Sequence, residues 1–313
     1  MDHDSDQERK PESTAHDGGG ATQVTDLPKA LLADVLKHLT TDNPFETAKN
    51  LTNFKLVSRS AREAVETAPV KTFHGRLKRL VESAGVLLDI AVRGFWDQEE
   101  IYIPASAPAS AVAPTLKFLP VRAKSNFVLH ILNLPHASEQ ALAIASIARR
   151  LGDLDHANKD RLVNRAIELF GQDGQEWVDR QSRRHAAQAL LTGYDHLNAD
   201  QKVKILDTMR ARPDLFSICA AQSHHLDPSL SSTSRSVSGH AVASQNADLD
   251  QKIKRIWDSV LDLGVAPCED NMSTREQMDA VRPIGKSISE AYNNARAELM
   301  ASDRSRERSN LAR

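Results

Sequence analysis

Residues 25–62 read TDLPKALLADVLKHLTTDNPFETAKNLTNFKLVSRSAR, and their pattern sets the fold class. Leu27-Pro28 stands where a helix should begin: Asp26 is a candidate capping acceptor, and proline in a first turn forfeits no helical hydrogen bond. Leu31, Leu32, Val35, Leu36 and Leu39 then recur at steps of one, three, one and three. That spacing lines branched side chains along one stripe of a helix, with Lys29, Asp34 and Lys37 outside it. Asp42-Asn43-Pro44 stops this helix and opens a second through Ala48, Leu51 and Phe54; Val57, Ala61, Ala64 and Val65 carry the pattern into a third.

Three short helices in about forty residues bury too little apolar surface to stand alone. Such a unit leans on something. It either lays an amphipathic helix into a partner's groove or packs as a hairpin on its own domain.

The order Leu27-Pro28, Leu31-Leu32, Val35-Leu36, Leu39 and then Leu56-Val57-Ser58-Arg59 resembles an F-box, the helical module that docks a carrier protein onto the Skp1 subunit of an SCF ubiquitin ligase. Asp42-Asn43-Pro44 and Thr52-Asn53-Phe54 are similar to one branch of these modules, the translocated bacterial F-box effectors of VirF type. Two departures stand out: the gap between the halves is a few residues longer than in a typical eukaryotic F-box, and Ala61 stands where many F-boxes have tryptophan. The resemblance implies that Leu27, Pro28, Leu31, Leu32, Val35, Leu36, Leu39, Val57 and Ser58 meet Skp1, which would lead on to a cullin and a RING subunit. The rest of the chain would hold a target for ubiquitination and proteasomal loss.

The carboxyl end carries a second likeness. Val281-Arg282-Pro283-Ile284 and Ala295-Arg296-Ala297-Glu298-Leu299-Met300 look like the end of the same effector type, and Arg296, Arg304, Arg306 and Arg308 are spaced like its arginine-rich export signal. This implies recognition by type IV secretion coupling machinery and delivery into a eukaryotic, plant host cell, to cytoplasm or nucleus. The likeness covers roughly residues 24–80 and 236–313 and leaves about 100–230 unexplained.

Composition agrees with helices. Hydrophobic content of 40% permits a core, while 4% aromatics and 13 glycines argue against a β-sandwich or propeller. The expected fold is all-α: an amino-terminal three-helix unit, then an antiparallel helical array that could be HEAT-like or armadillo-like, with disordered termini. Net charge of -2 gives no global pull toward nucleic acid or anionic membrane. Cys219 and Cys268 are the only cysteines, too few for a disulfide framework, which suits a reducing compartment. No apolar run approaches the roughly twenty residues that span a bilayer, and MDHDSDQERK is the opposite of a Sec signal.

In chain order, residues 1–24 are acidic and expected to be disordered, and 25–68 form the F-box-like unit. Residues 69–98 are a connecting helix with Phe73, Leu77, Leu80, Val81, Ala84, Leu87, Leu88 and Ala91 on its apolar side. Lys71, Arg76, Lys78 and Arg79 read as its solvated basic face. Residues 99–115, with Pro104, Pro108 and Pro114 among alanines and serines, read as an extended linker. Residues 116–226 are a helical domain and the candidate target-binding region. Within it, Asp155-His156-Ala157-Asn158 and Asp195-His196-Leu197-Asn198 lie forty residues apart, each ahead of a helix capped by an Asn or Asp. A serine-rich linker at 227–248 precedes carboxyl-terminal helices at 249–301, the last opened by Arg282-Pro283-Ile284, and a mobile arginine-rich tail at 302–313.

Catalytic patterns fail on inspection. Gly285-Lys286-Ser287 mimics the end of a phosphate-binding loop, but Ala280 stands where that loop needs glycine and no strand precedes it. His224-His225 with Cys219 and Asp227 lack a second cysteine at metal-ligand spacing. Ser223 has no orienting acid, and nothing near Cys268 supplies a base. The expectation is a protein without enzymatic activity, cofactor, membrane span or direct nucleic-acid contact. It would be an adaptor of the F-box kind or, alternatively, a helical scaffold or inhibitor that occupies a host protein without recruiting a ligase.

Overall fold

The computed structural model describes residues 29–96, 104–173, 176–223, 242–265 and 274–311. As expected, the described residues are helical, with no strand among them. The front unit is α1 (Lys29–His38), α2 (Pro44–Val57) and α3 (Arg59–Val65). Next come α4 (Ala68–Trp96), α5 (Ser106–Val112), α6 (Val121–Leu132), α7 (Ala137–Ile147), α8 (His156–Gly171), α9 (Trp177–Thr192), α10 (Ala199–Ala211) and α11 (Asp214–Ser223). The chain closes with α12 (Val242–Val265) and α13 (Thr274–Leu311).

The three long helices α4, α12 and α13 pack on one another. Phe73, Leu77, Leu80, Ala84, Leu87 and Ala91 of α4 are buried at helical spacing, facing Leu249, Ile253 and Val260 of α12 and Val281, Ile288, Ala291 and Tyr292 of α13 within one core. Arg76 corrects the sequence reading. Instead of lining a solvated face it is 6% exposed, its Nε donating to Asp250 Oδ1 of α12 at 2.6 Å and its Nη1 to Glu298 Oε2 of α13 at 2.8 Å. Burial works against its charge, but the hydrogen bonds to Asp250 and Glu298 outweigh that and raise its pKa above the ordinary value.

The middle helices stack in two layers: α5, α7, α9 and α11 contact one another in series, and so do α6, α8 and α10. The forty-residue recurrence does not put the caps in register: α8 starts after Asp155, the first residue of its copy, and α10 after Asn198, the fourth of its copy. Asp155 accepts from Asn158 N at 3.1 Å at the start of α8, and Asn198 accepts from Gln201 N at 2.8 Å at the start of α10. Gln201 Nε2 then donates to Asp160 Oδ1 at 2.9 Å and ties the two copies together.

Three expectations about the connections give way. Residues 104–115 are not an extended linker: α5 and a 3-10 helix at Ala113–Phe118 sit in the core, with Ala109, Val112, Leu116 and Phe118 buried between the long helices and the middle layers. Pro108 falls in the first turn of α5, where a missing N–H costs nothing, and Pro114, one residue past the α5 C-cap Ala113, ends α5 and stands in the first turn of the 3-10 helix. The last helix begins at Thr274 and carries Pro283 inside it. Met278 and Val281, 1% and 0% exposed, anchor the turns before the proline and offset its cost of about 3 kcal/mol. Finally, α13 continues through residues 302–311 without a separate tail, for no Gly or Pro follows Gly285 to stop it.

Gly285 has its own reason. A Cβ there would lie 2.6 Å from the Ala111 carbonyl oxygen, so glycine is what lets α13 cross α5 this closely.

Candidate partner-binding site

The front unit is built from its turns outward. Asn43 caps α2, its Oδ1 accepting from Phe45 N at 3.0 Å and Glu46 N at 3.2 Å, with Pro44 in the first turn. Thr41 N donates to Thr47 Oγ1 at 2.8 Å and Thr41 Oγ1 donates to Asn43 O at 2.9 Å, which fixes the bend between α1 and α2. Ser58 caps α3 by accepting from Ala61 N at 3.0 Å, so this half-buried residue has a structural duty before any contact with a partner.

Helix α13 holds the bend from outside. The Tyr292 hydroxyl donates to Thr41 O at 2.7 Å, its ring meets Phe118 edge-on with centroids 5.6 Å apart, and Arg296 pairs with Asp42. Burial raises the Tyr292 pKa and keeps the phenol a neutral donor. Arg296, which the sequence assigns to an export signal, is thus engaged with the front unit in the fold. Arg304, Arg306 and Arg308 fall on the last turns of α13, and their side chains lie outside the described ones.

The apolar stripe of α1 divides. Leu32 and Leu36 are 0% and 3% exposed and complete the chain's own interior, a burial worth roughly 1.5–3 kcal/mol each. This corrects the expectation that they meet Skp1: a sealed side chain cannot insert into another protein. Leu31, Val35 and Leu39, one helical step round, lie on the border; Leu31 is 48% exposed, and Val35 and Leu39 are half-buried against the core. At the end of α2, Val57 and Leu56 are 54% and 74% exposed. Two adjacent apolar residues on a helix point about 100° apart, so Leu56 and Val57 cannot both turn inward at this helix end. Leu27 and Pro28 lie outside the described residues.

What the site offers chemically is apolar contact. Among the described residues no group of three or more His, Cys, Asp or Glu could hold a metal ion, and no helix is long and apolar enough to cross a membrane. His224, His225, Asp227 and Cys268 lie outside the described residues; Cys219 is half-buried in α11, and burial raises its thiol pKa.

Comparison with known proteins finds similarity to part of one curated relative. Over 72 residues the chain is 44% identical to "Virulence protein F" of Agrobacterium tumefaciens (strain 15955). The matched stretch takes in 23% of this chain and 35% of that protein, so it spans about a third of the relative's length. No family model matches the chain, and no solved structure matches it.

Proposed function

We propose that this chain is a virulence effector that acts in a host cell as an F-box adaptor: it binds a Skp1-type subunit through its front unit and brings a bound target to the ligase. The observation that carries the reading is the exposed apolar set Leu31, Leu56 and Val57 on a three-helix unit whose residue order is F-box-like. The partial identity with Virulence protein F supports it. Leu27 and Pro28, just ahead of α1, extend the same docking surface in this reading, while Leu32 and Leu36 hold it in shape. The chain supplies proximity; a host E2 and RING subunit supply the chemistry, so no catalytic residue is assigned here.

The target would be held by the middle layers, whose last helices α10 and α11 expose Val203, Leu206 and Phe216. The same exposed residues support the second reading, a scaffold or inhibitor that grips a host protein without ubiquitin. Co-purification with a plant Skp1 separates the two. Wild type is expected to retain Skp1; Leu31→Ala with Val57→Ala, and separately Leu27→Ala with Pro28→Ala, should weaken retention by about 2 kcal/mol per lost anchor, roughly thirtyfold each. Because Leu31 and Val57 are exposed, the helical content and unfolding midpoint should stay unchanged in that pair. Equal retention by wild type and both variants, or no retention by a folded wild type, rejects the adaptor reading.

Export is the second part of the proposal. Residues 280–313 fused to a translocation reporter should carry it through a type IV apparatus into recipient cells, and Arg304→Ala, Arg306→Ala and Arg308→Ala together should stop the transfer. Undiminished entry of the triple variant would remove these arginines from the signal. Arg296 is left to the fold, since it pairs with Asp42.

A further inference from the structure

Away from the front unit's docking surface, a cleft of about 660 Å³ opens where α13 passes α5 and the 3-10 helices at Ala113–Phe118 and Ala148–Asp153. Three cations line it: Arg150, Arg282 and Lys286. Arg282 and Lys286 stand one turn apart on α13, a like-charge spacing that works against the helix. Compensation is thin. Arg150 Nη1 is 3.8 Å from Asp153 Oδ2 and Lys286 Nζ is 3.9 Å from Glu290 Oε1, both at the limit of ion pairing, and among the described residues Arg282 has no ion pair. A sequence that concentrates uncompensated charge in one concavity breaks a local rule, and such places are where function is expected.

We propose that this cleft binds an organic phosphate that carries hydroxyl groups, of the sugar-phosphate or nucleotide class. The arginines offer planar forks that match phosphate oxygens two at a time, and Lys286 adds a point charge. The Pro114 and Pro283 rings form rigid apolar wall for the organic part, and Glu290 and Asn293 can accept or share hydroxyl hydrogens. The volume lies in the range of small-molecule pockets, roughly 300–1,000 Å³. The cleft also gives Lys286 a role without a phosphate-binding loop: the lysine projects from the middle of a helix, and the neighbouring Gly285 is spent on the close crossing with α5.

The test is isothermal titration of the full chain at about 50 mM salt, where charge contacts are weakly screened. The probes are inorganic pyrophosphate, then a nucleoside diphosphate and a hexose phosphate. Pyrophosphate is expected to bind with a Kd below about 1 mM and one of the organic phosphates about tenfold more tightly. Arg282→Ala with Lys286→Ala should weaken both at least about tenfold; the two side chains are exposed, so the unfolding curve should not move. Absence of binding by all three probes, or binding that the double variant retains, overturns the proposal. So does sulfate at equal ionic strength competing as well as the organic phosphates, which would mean an adventitious ion only. If phosphate binds only after Asp2→Asn, Asp4→Asn and Asp6→Asn are introduced together, the cleft belongs to the chain's own acidic segment, and the proposal fails.

Discussion

Tyr292→Ala is expected to cost about 3–5 kcal/mol of stability, the range for truncating a fully buried aromatic. The ring is 1% exposed, lies edge-on to Phe118 at 5.6 Å and tilted against Phe73 at 6.5 Å, and has Lys117 Nζ 5.2 Å from its centroid. The Tyr292 side chain joins α13, the 3-10 helix after α5 and the bend of the front unit at one point. Tyr292→Phe should cost only about 1 kcal/mol, since it removes one hydrogen bond and leaves Thr41 O with Thr47 Oγ1 at 3.3 Å as a donor. Chemical denaturation at constant m-value measures both. A loss below about 1.5 kcal/mol in the alanine variant, or equal losses in the two, would mean that the ring is not the junction described.

The second large effect is at Arg76. Removing one partner of a buried ion pair typically costs about 3–5 kcal/mol, but Asp250 is 53% exposed and Glu298 25%, so water recovers part of what the carboxylates lose. Arg76→Ala should therefore cost about 2–3 kcal/mol, whereas Asp250→Asn, at the exposed end of the network, should cost under about 1 kcal/mol. Denaturation curves for the two variants decide it. Equal penalties would show that the guanidinium is no more desolvated than an ordinary surface arginine.

How legible this was in the sequence depended on distance along the chain. The cap Asn43, the proline in the first turn of α2 and the caps Asp155 and Asn198 are local events, complete within three residues, and could be read directly. The stripe of α1 was legible as apolar, but not which part faced inward. Leu31 and Leu32 sit about 100° apart on a helix, and only the position of α3 and the core settles that Leu32 is sealed and Leu31 is not. Arg76 looked like a surface cation because its partners lie 174 and 222 residues away. The run of prolines near residue 110 looked like a linker because composition cannot tell a proline that begins a helix from one that prevents it. The cleft was illegible for the same reason as Arg76: Arg150 and Arg282 meet only after α13 crosses α5.

That crossing has a consequence for how the molecule is made. Helix α13 supplies Val281, Ile288, Ala291 and Tyr292 to an interior whose other walls come from α4 and α5, nearly two hundred residues earlier. Until the ribosome has released α13, the apolar surface of α4 and α5 lacks this wall and stays exposed. Truncation before α13 is expected to leave that surface open and to favour aggregation over a smaller folded protein.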